Sequence, residues 1–349
     1  MNLPDRYPID GTLELTLRCN LHCKMCMFRH ADSEPLQDRE LTCDQWLTLA
    51  RQLRDAGTLR LLLTGGEPMI RKDFIRLYEG IYRLGFILTL YTNATLLTPQ
   101  ILACLQKHPP HRIGVTLYGT CNEDYRNICM CSDGFDRAMA GIEQLQALPS
   151  ALELRFTPTQ DTIEKFADLD KLLFDRFGIH ATLSGRIFGA VRGGCMEPAH
   201  CRPTPEQTVE ATWGQIENRL RQDIPAQLRQ KVQLKISDRC ALSERTATLL
   251  GCNAGMHSYC ISWDGKLLGC QILEAFQTDA LTEGFQNAWE RFPETVKLPP
   301  HPCENCEHLQ SCTLCPAVAM AETGSLTGVP EYICQITKLT QKRKEAFTL

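Results

Sequence analysis

Short apolar runs alternate with longer amphipathic stretches along the first half of the chain. The apolar runs are rich in Leu, Ile, Val and Thr, a pattern typical of buried strands. They predict strands over 12–17, 60–64, 86–91, 112–117, 151–156 and 180–184. The stretches between them predict helices over 43–56, 71–84, 98–107, 134–147 and 161–177. Thr42 and Gln45 have capping-box spacing at the start of the first helix.

Regular alternation of strands and helices predicts an α/β fold with a parallel sheet. The alternation fits a partial (β/α)6 TIM-like barrel, and it also permits a doubly wound sheet. Residues 205–231 predict a helix interrupted near Pro225. The expected organisation has three parts: a core over 1–204, a helical bridge over 205–250 and a cysteine-rich extension over 251–349.

Composition restricts the class of protein. The chain has 349 residues, 43% of them hydrophobic, and a net charge of −4, which favours neither nucleic acid nor an anionic membrane surface. It has no apolar run long enough to span a membrane and no secretory signal at its N-terminus. Its 19 cysteines, an odd number, occur in clusters. This usage indicates metal binding in a reduced, cytoplasmic protein rather than a disulfide scaffold.

Three cysteines follow the first predicted strand. Cys19, Cys23 and Cys26 form a C-x3-C-x2-C triplet. A [4Fe–4S] cluster has four irons that each take one ligand, so three thiolates leave one iron open. A structural zinc site takes four ligands, commonly from two C-x2-C pairs, and fits this spacing poorly.

The triplet, together with Gly65-Gly66-Glu67-Pro68 after the second strand, resembles the radical S-adenosylmethionine (radical SAM) superfamily. The resemblance implies that SAM binds the open iron and is cleaved by one electron to a 5′-deoxyadenosyl radical, which abstracts hydrogen from substrate. The implied cofactor-binding residues are Gly65, Gly66, Glu67, Pro68, Asn93, Thr116, Arg155 and Met25. Met25 stands where the family usually has an aromatic residue, and Phe28 is a candidate to compensate. A glycine pair is also common in ordinary β–α turns.

Seven further cysteines form an ordered array near the C-terminus: Cys252, Cys270, Cys303, Cys306, Cys312, Cys315 and Cys334. The array resembles the SPASM domain, which holds auxiliary [4Fe–4S] clusters. The resemblance assigns the outer cluster to Cys303, Cys306, Cys312 and Cys334. It assigns the inner cluster to Cys252, Cys270 and Cys315, with Cys260 as a candidate fourth ligand. The last pair is spaced x2, where the family commonly has x3. Two C-x2-C pairs alone also fit a zinc ribbon, and hence a zinc-dependent binding protein.

Other cysteines and one turn carry separate expectations. Cys43 and Cys104 lie in predicted helices and are expected to be buried, whereas Cys129 and Cys131 are expected in a loop before a helix. The Asp-Gly pair within 262–266 predicts a hairpin turn.

The resemblance to radical SAM–SPASM peptide maturases implies a ribosomally made peptide as substrate and a thioether or carbon–carbon crosslink, or epimerisation, as outcome. Cys195, Cys201 and Cys240 are candidate hydrogen donors for epimerisation. Gln271 replaces the aspartate base of anaerobic sulfatase maturases, which argues against that activity. The alternative is a dehydrogenase or epimerase of a small molecule such as an amino sugar or aminocyclitol. Flavodoxin or ferredoxin is the expected electron donor. The short stretch before the first strand makes a separate leader-binding protein a candidate partner.

Overall fold

The parallel sheet predicted from the sequence is present in the computed structural model, which describes residues 6–30, 36–183, 186–194, 197–223 and 249–346. Six parallel strands follow one another in space in the same order as in the chain. Their bounds are β1 Asp10–Glu14, β2 Arg60–Thr64, β3 Ile87–Thr92, β4 Arg112–Leu117, β5 Ala151–Phe156 and β6 Thr182–Leu183.

The strand order decides between the two predicted architectures. A doubly wound sheet reverses its strand order at a switch point, whereas a barrel adds each strand beside the previous one. The sequential order from β1 to β6 confirms the partial (β/α)6 barrel. The connecting helices are α1 Cys43–Asp55, α2 Phe74–Tyr82, α3 Pro99–Lys107, α4 Asn122–Cys129, α5 Gly134–Gln146, α6 Phe166–Phe177 and α7 Pro205–Asp223.

The C-terminal part continues the same sheet. Strand β7 (Ser258–Ile261) pairs in parallel with β1, and β8 (Lys266–Cys270) and β9 (Leu273–Asp279) follow antiparallel. The predicted hairpin turn joins β7 to β8, with Gly265 at a φ of +90° that favours glycine. Within the described part of the C-terminal region, the helices are α8 Ala280–Glu283, α9 Phe285–Thr295, α10 Pro316–Thr323 and α11 Glu331–Glu345.

The two faces of the barrel sheet differ in chemistry. Leu13, Leu63, Leu90 and Val115 are fully buried on the face that packs against the helices. The alternate positions of the same strands are largely polar and form the inner face of the partial barrel. Because side chains alternate along a strand, one sequence supplies both an apolar core and a polar interior.

Several predictions about local structure are confirmed. Thr42 and Gln45 form the predicted capping box. Cys43 and Cys104 are buried. Among the described residues, no helix is both long and apolar enough to cross a membrane.

One prediction about local structure is wrong. Cys129 was expected in a loop but is the last residue of α4, and only Cys131 lies in the loop beyond. The segment that forms α4 has only eight residues, little more than two helical turns, so its amphipathic pattern is too short to be distinguished from a loop in the sequence. The predicted break at Pro225 lies outside the described residues.

Candidate active site

The cysteine triplet lies in the loop that follows β1, at the carboxyl end of the parallel strands. Two backbone hydrogen bonds tie this loop to α4: His22 N donates to Cys129 O at 2.9 Å, and Lys24 N donates to Ile128 O at 2.9 Å. Cys23 is buried, whereas Cys19 and Cys26 are partly exposed. The three cysteines are close enough for their charges to interact.

Burial controls the protonation of the triplet. Burial, assisted by the charge of Cys23, raises the pKa of Cys26 to about 11. Burial, followed by the charge of Glu67, also raises the pKa of Cys19. Three close thiols with raised pKa values would stay protonated unless a positive group compensated their thiolate charges, and metal coordination does this while releasing the protons. The donor set therefore fits a metal cluster.

The glycine pair packs the second strand against the start of the cysteine loop. A Cβ on Gly65 would lie 2.1 Å from Thr16 O, and a Cβ on Gly66 would lie 2.3 Å from Arg18 O. In their place, Gly66 N donates to Thr16 O at 2.7 Å and Glu67 N donates to Arg18 O at 2.9 Å. Both glycines thus allow a close approach of two backbone segments, which fixes the loop's position.

Glu67 is fully buried and its carboxylate serves the protein itself. It accepts hydrogen bonds from Thr92 Oγ1 at 2.9 and 3.0 Å, from Asn93 N at 2.7 Å and from Met69 N at 3.1 Å. Burial outweighs these bonds and raises the pKa of Glu67 to about 7. The carboxylate therefore joins the loops after β2 and β3. Pro68, which is also buried, opens the short 3-10 turn that follows.

Asn93 links the loop after β3 to the cysteine loop. Its Oδ1 accepts from Thr95 N at 2.9 Å and Thr95 Oγ1 at 2.7 Å. Its Nδ2 donates to Asn20 Oδ1 at 3.0 Å and to Cys19 Sγ at 3.8 Å. Asn93 is 6% exposed, so the amide is held in one orientation beside the first cysteine.

Thr116 and Arg155 lie side by side on the inner face, since they are paired in register between β4 and β5. The Arg155 guanidinium lies 4.4 Å from the centroid of the Tyr91 ring, and its Nε donates to Glu153 Oε1 at 2.9 Å. Tyr91 lies over Gly114, where a Cβ would come 2.7 Å from the ring. These contacts build a polar wall across β3, β4 and β5.

Met25 and Phe28 occupy different surroundings. Met25 is 6% exposed and belongs to the main core of the barrel. Phe28 packs with Leu17, Leu36 and Trp263 in a separate small cluster. Direct packing of either side chain on an adenine remains a prediction.

A buried ion pair crosses the barrel interior. Arg192 donates to Glu14 in a bidentate pair at 2.6 and 2.7 Å, and Gln271 Nε2 donates to Glu14 Oε1 at 2.8 Å. The Arg192 guanidinium also lies 4.5 Å from the centroid of the Phe28 ring. Arg192 and Glu14 have side chains 7% and 1% exposed. The cluster thus joins β1, the loop after β6 and the turn after Cys270.

The C-terminal cysteines fall into two neighbourhoods. Burial, followed by the charges of Cys315 and Cys252, raises the pKa of Cys270 to about 11. Cys303 and Cys334 interact with Cys306 and Cys312, and the leading effect of burial again raises the pKa of both. Cysteines within each of the two sets expected from the sequence are close enough to influence one another, and their assignment to two clusters stays a prediction.

Cys260 lies on β7, fully buried, with Glu14, Arg192 and Cys270 near enough to influence it. This position lies beside the inner set. Within the described ranges, no three His, Cys, Asp or Glu side chains are placed to hold a single metal ion.

Of the three candidate hydrogen donors, Cys201 alone lies among the described residues. Cys195 and Cys240 lie outside the described residues. Cys201 Sγ donates to Pro198 O at 3.2 Å, and burial raises the pKa of this thiol. Cys23 and Lys24 are close enough to influence Cys201 electrostatically, so it lies on the cysteine-loop side of the barrel.

Sequence reasoning missed four residues of this site. Glu14 and Arg192 lie near enough to Cys260 to influence it electrostatically, and Tyr118 and Cys129 lie beside Cys23. The Cys129 thiol and the Tyr118 hydroxyl lie beside the Cys23 side chain, and Cys129 together with burial raises the pKa of Cys23. A buried glutamate inside an otherwise apolar strand is a signal that could have found Glu14, because buried charges require partners.

The fold and the site define a class of protein: a partial α/β barrel that presents three thiols in a loop at the carboxyl end of its first strand. Residues 13–173 match the family model for the radical SAM superfamily. The chain carries a radical SAM domain over these residues and is an S-adenosylmethionine-dependent enzyme. The alternative of a zinc-dependent binding protein that is not an enzyme does not agree with this domain.

Two curated relatives differ in how much of the chain they match. The chain is 26% identical over 340 residues to the AdoMet-dependent heme synthase of Methanosarcina barkeri, covering 89% of this chain and 92% of that protein. It is 37% identical over 97 residues to the PqqA peptide cyclase of Streptomyces rochei, covering 27% of this chain and 25% of that protein.

Two solved structures share the fold over nearly the whole chain. Streptococcus suis SuiB bound to S-adenosylmethionine superposes with a TM-score of 0.70 at 15% identity, covering 95% of this chain and 78% of that one. The protein anSMEcpe, with bound AdoMet and Cp18Cys peptide, gives a TM-score of 0.70 at 14% identity and covers 97% of both chains.

Proposed function

We propose that this protein is a radical SAM enzyme that modifies a peptide. The observation that carries the proposal is the polar inner face of the barrel, which lies beside the cysteine triplet. The modification is a thioether or carbon–carbon crosslink, or inversion of an α-carbon. The architecture shared with SuiB and anSMEcpe, each of which has been crystallised with a peptide, supports this proposal.

Cys19, Cys23 and Cys26 would hold a [4Fe–4S] cluster with one iron open to SAM. When bound, the cluster and SAM supply a 5′-deoxyadenosyl radical that removes a hydrogen atom from a carbon of the substrate. The protein's part is to place the substrate and to exclude water. Glu67 and Asn93 hold the loops after β2 and β3 against the cysteine loop, so the surroundings of the open iron are set before SAM binds.

A peptide backbone suits the inner face better than an apolar ligand does. Tyr91, Thr116, Glu153 and Arg155 supply donors and acceptors at successive strand positions. A peptide presents an N–H and a C=O at each residue, and these groups must be satisfied when they are buried. An apolar ligand would offer this wall no hydrogen-bonding groups.

The two cysteine neighbourhoods would hold auxiliary [4Fe–4S] clusters, an outer one at Cys303, Cys306, Cys312 and Cys334 and an inner one at Cys252, Cys270 and Cys315. Cys260 is the candidate fourth inner ligand, since it lies close to Cys270. Flavodoxin or ferredoxin as electron donor and a separate leader-binding protein remain proposed partners.

A second candidate substrate is a tetrapyrrole. The alignment to the Methanosarcina barkeri heme synthase is nearly full length, which favours a tetrapyrrole over an amino sugar or aminocyclitol as the alternative substrate. The amino-sugar or aminocyclitol reaction remains a prediction from the sequence alone.

The substrate class can be tested by hydrogen transfer. Reconstituted enzyme is reduced with dithionite in the presence of SAM and either a library of synthetic peptides deuterated on carbon or a propionate-bearing iron porphyrin deuterated on its side chains. The proposal predicts deuterium in the 5′-deoxyadenosine formed with peptides alone. Deuterium from the porphyrin and none from any peptide would replace it with the second candidate.

A further inference from the structure

The segment of residues 186–194, which follows β6, passes over the cysteine loop. Val191 N donates to Met27 O at 3.0 Å, and a Cβ on Gly194 would lie 2.4 Å from the same oxygen. Between these contacts Arg192 has a φ of +52°, in the left-handed region that a non-glycine residue adopts only at a cost. The contacts on either side, together with the ion pair to Glu14, hold this backbone conformation and fix the position of the guanidinium.

The Arg192–Glu14 pair lies in the barrel interior, between the triplet and the C-terminal cysteines. Glu14 alternates with fully buried core residues along β1, so its side chain belongs to the inner face. The third member of the network, Gln271, directly follows Cys270. The guanidinium lies against Phe28, two residues beyond the last cysteine of the triplet. A group bound beside Arg192 would therefore lie close to both cysteine sites.

The guanidinium has one donor that no described residue uses. Arg192 Nη1 and Nη2 donate to the two carboxylate oxygens of Glu14 at 2.7 and 2.6 Å. Arg192 Nε is buried and has no hydrogen-bond partner among the described residues. A buried N–H without an acceptor is costly, above all on a charged group. An acceptor supplied by a bound substrate would remove this cost.

The charges around Arg192 select an uncharged acceptor. Glu14 already neutralises the guanidinium, and Cys260 and Glu274 are also close enough to influence it. A carboxylate from a ligand would add a buried negative charge without a cation of its own. The carbonyl oxygen of a peptide accepts a hydrogen bond and brings no charge.

We infer that Arg192 is a substrate-binding residue whose Nε–H donates to a backbone carbonyl oxygen of the peptide. This hydrogen bond would hold the substrate on the β1 side of the barrel, while the polar wall across β3, β4 and β5 supplies groups on the other strands. The inference rests on the proposed function, because it requires a peptide in the barrel interior.

The test uses the library peptide that transfers the most deuterium to the wild type. A fluorescently labelled copy is titrated with reconstituted protein and SAM, without reductant, and its dissociation constant is measured by anisotropy. Arg192→Lys keeps a cation beside Glu14 and lacks the Nε–H. Arg202→Lys is the matched control, because Arg202 also pairs with a buried carboxylate, that of Glu322, and lies 3.7 Å from the centroid of the Tyr332 ring.

We expect R192K to bind the peptide about tenfold more weakly, because a hydrogen bond from a charged donor is lost. Its iron content and its SAM cleavage in the absence of peptide should equal those of the wild type, and R202K should bind the peptide normally. If R192K retains less iron, the double variant Glu14→Gln with Arg192→Gln, which leaves no buried charge at the pair, is measured in its place.

Single thioamides placed along the peptide identify the carbonyl, because a thioamide sulfur is a weaker acceptor than an amide oxygen. One position should weaken binding to the wild type and leave binding to R192K unchanged. Equal affinity of R192K and the wild type, or thioamide effects that are the same in both proteins, would overturn the inference and leave water as the partner of Nε. Failure of every library peptide to transfer deuterium to the wild type would instead overturn the proposed function.

Discussion

The buried ion pair between Arg192 and Glu14 gives a quantitative prediction about stability. Arg192→Gln removes the cation and leaves the Glu14 carboxylate, 1% exposed, with Gln271 as its remaining hydrogen-bond donor. Breaking one partner of a buried pair costs about 3–5 kcal/mol, because the other charge stays buried without compensation. We therefore expect R192Q to be strongly destabilised.

The magnitude can be expressed as a melting temperature. Unfolding entropy of about 2.1 cal/mol/K per residue gives about 0.7 kcal/mol/K for a chain of this length. A loss of about 3–5 kcal/mol then lowers the melting temperature by about 4–7 °C. Thermal unfolding followed by circular dichroism, on samples with equal iron content, measures this shift.

Two comparisons make the test specific. Arg54→Gln removes one partner of the exposed Arg54–Asp55 pair and should change stability by about 1 kcal/mol or less. The double variant Glu14→Gln with Arg192→Gln leaves no buried charge and should be more stable than R192Q alone. A melting temperature for R192Q within 1 °C of the R54Q value, at ~1 °C precision, would refute the reasoning.

Three further predictions concern the glycine motif, the buried glutamate and the packing of β7 against the barrel. Gly66→Ala would place a Cβ 2.3 Å from Arg18 O, so we expect this variant to retain less iron and to melt at a lower temperature. Gly214→Ala is the control, because its Cβ would meet no atom within 4 Å, and it should leave iron content and melting temperature unchanged. Burial raises the pKa of Glu67 from its ordinary value of 4.5 to about 7, so the contribution of this group favours folding below pH 4.5 and is lost as the pH rises through 7. In urea titrations, the unfolding free energy of Glu67→Gln should change less between pH 5 and pH 7 than that of the wild type, by up to roughly 3 kcal/mol. An equal pH dependence in both proteins would contradict the burial of this carboxylate. Tyr259→Phe removes the 2.8 Å hydrogen bond to Thr58 and should cost about 1 kcal/mol in the same titrations, with no loss of iron.

The barrel was predictable because its signals are local. Each strand is an apolar run, and helices such as Cys43–Asp55 begin with a cap that is visible in the sequence. The pairing of β7 with β1 was not predictable, because it joins segments nearly 250 residues apart and depends on which sheet edge is left open.

The residues of the site also divide into those that local sequence predicts and those that only the fold brings together. The cysteines and the glycine motif could be found because their chemistry and spacing are specific. Glu14 and Arg192 could not be paired from the sequence, because nothing local relates a strand residue to a loop residue 178 positions away. Gly65 and Gly66 also have a role that the sequence did not indicate, because they allow the backbone of Thr16 and Arg18 to come close.

Iron counting tests the central claim of three separate cysteine sites most directly. Iron and sulfide are measured per chain in anaerobically reconstituted wild type and in a variant with Cys19, Cys23 and Cys26 all changed to Ala. The account predicts about twelve irons falling to about eight, because a four-iron cluster is lost with the triplet while two remain. An iron content that the triple substitution leaves unchanged, or zinc in place of iron, would contradict it.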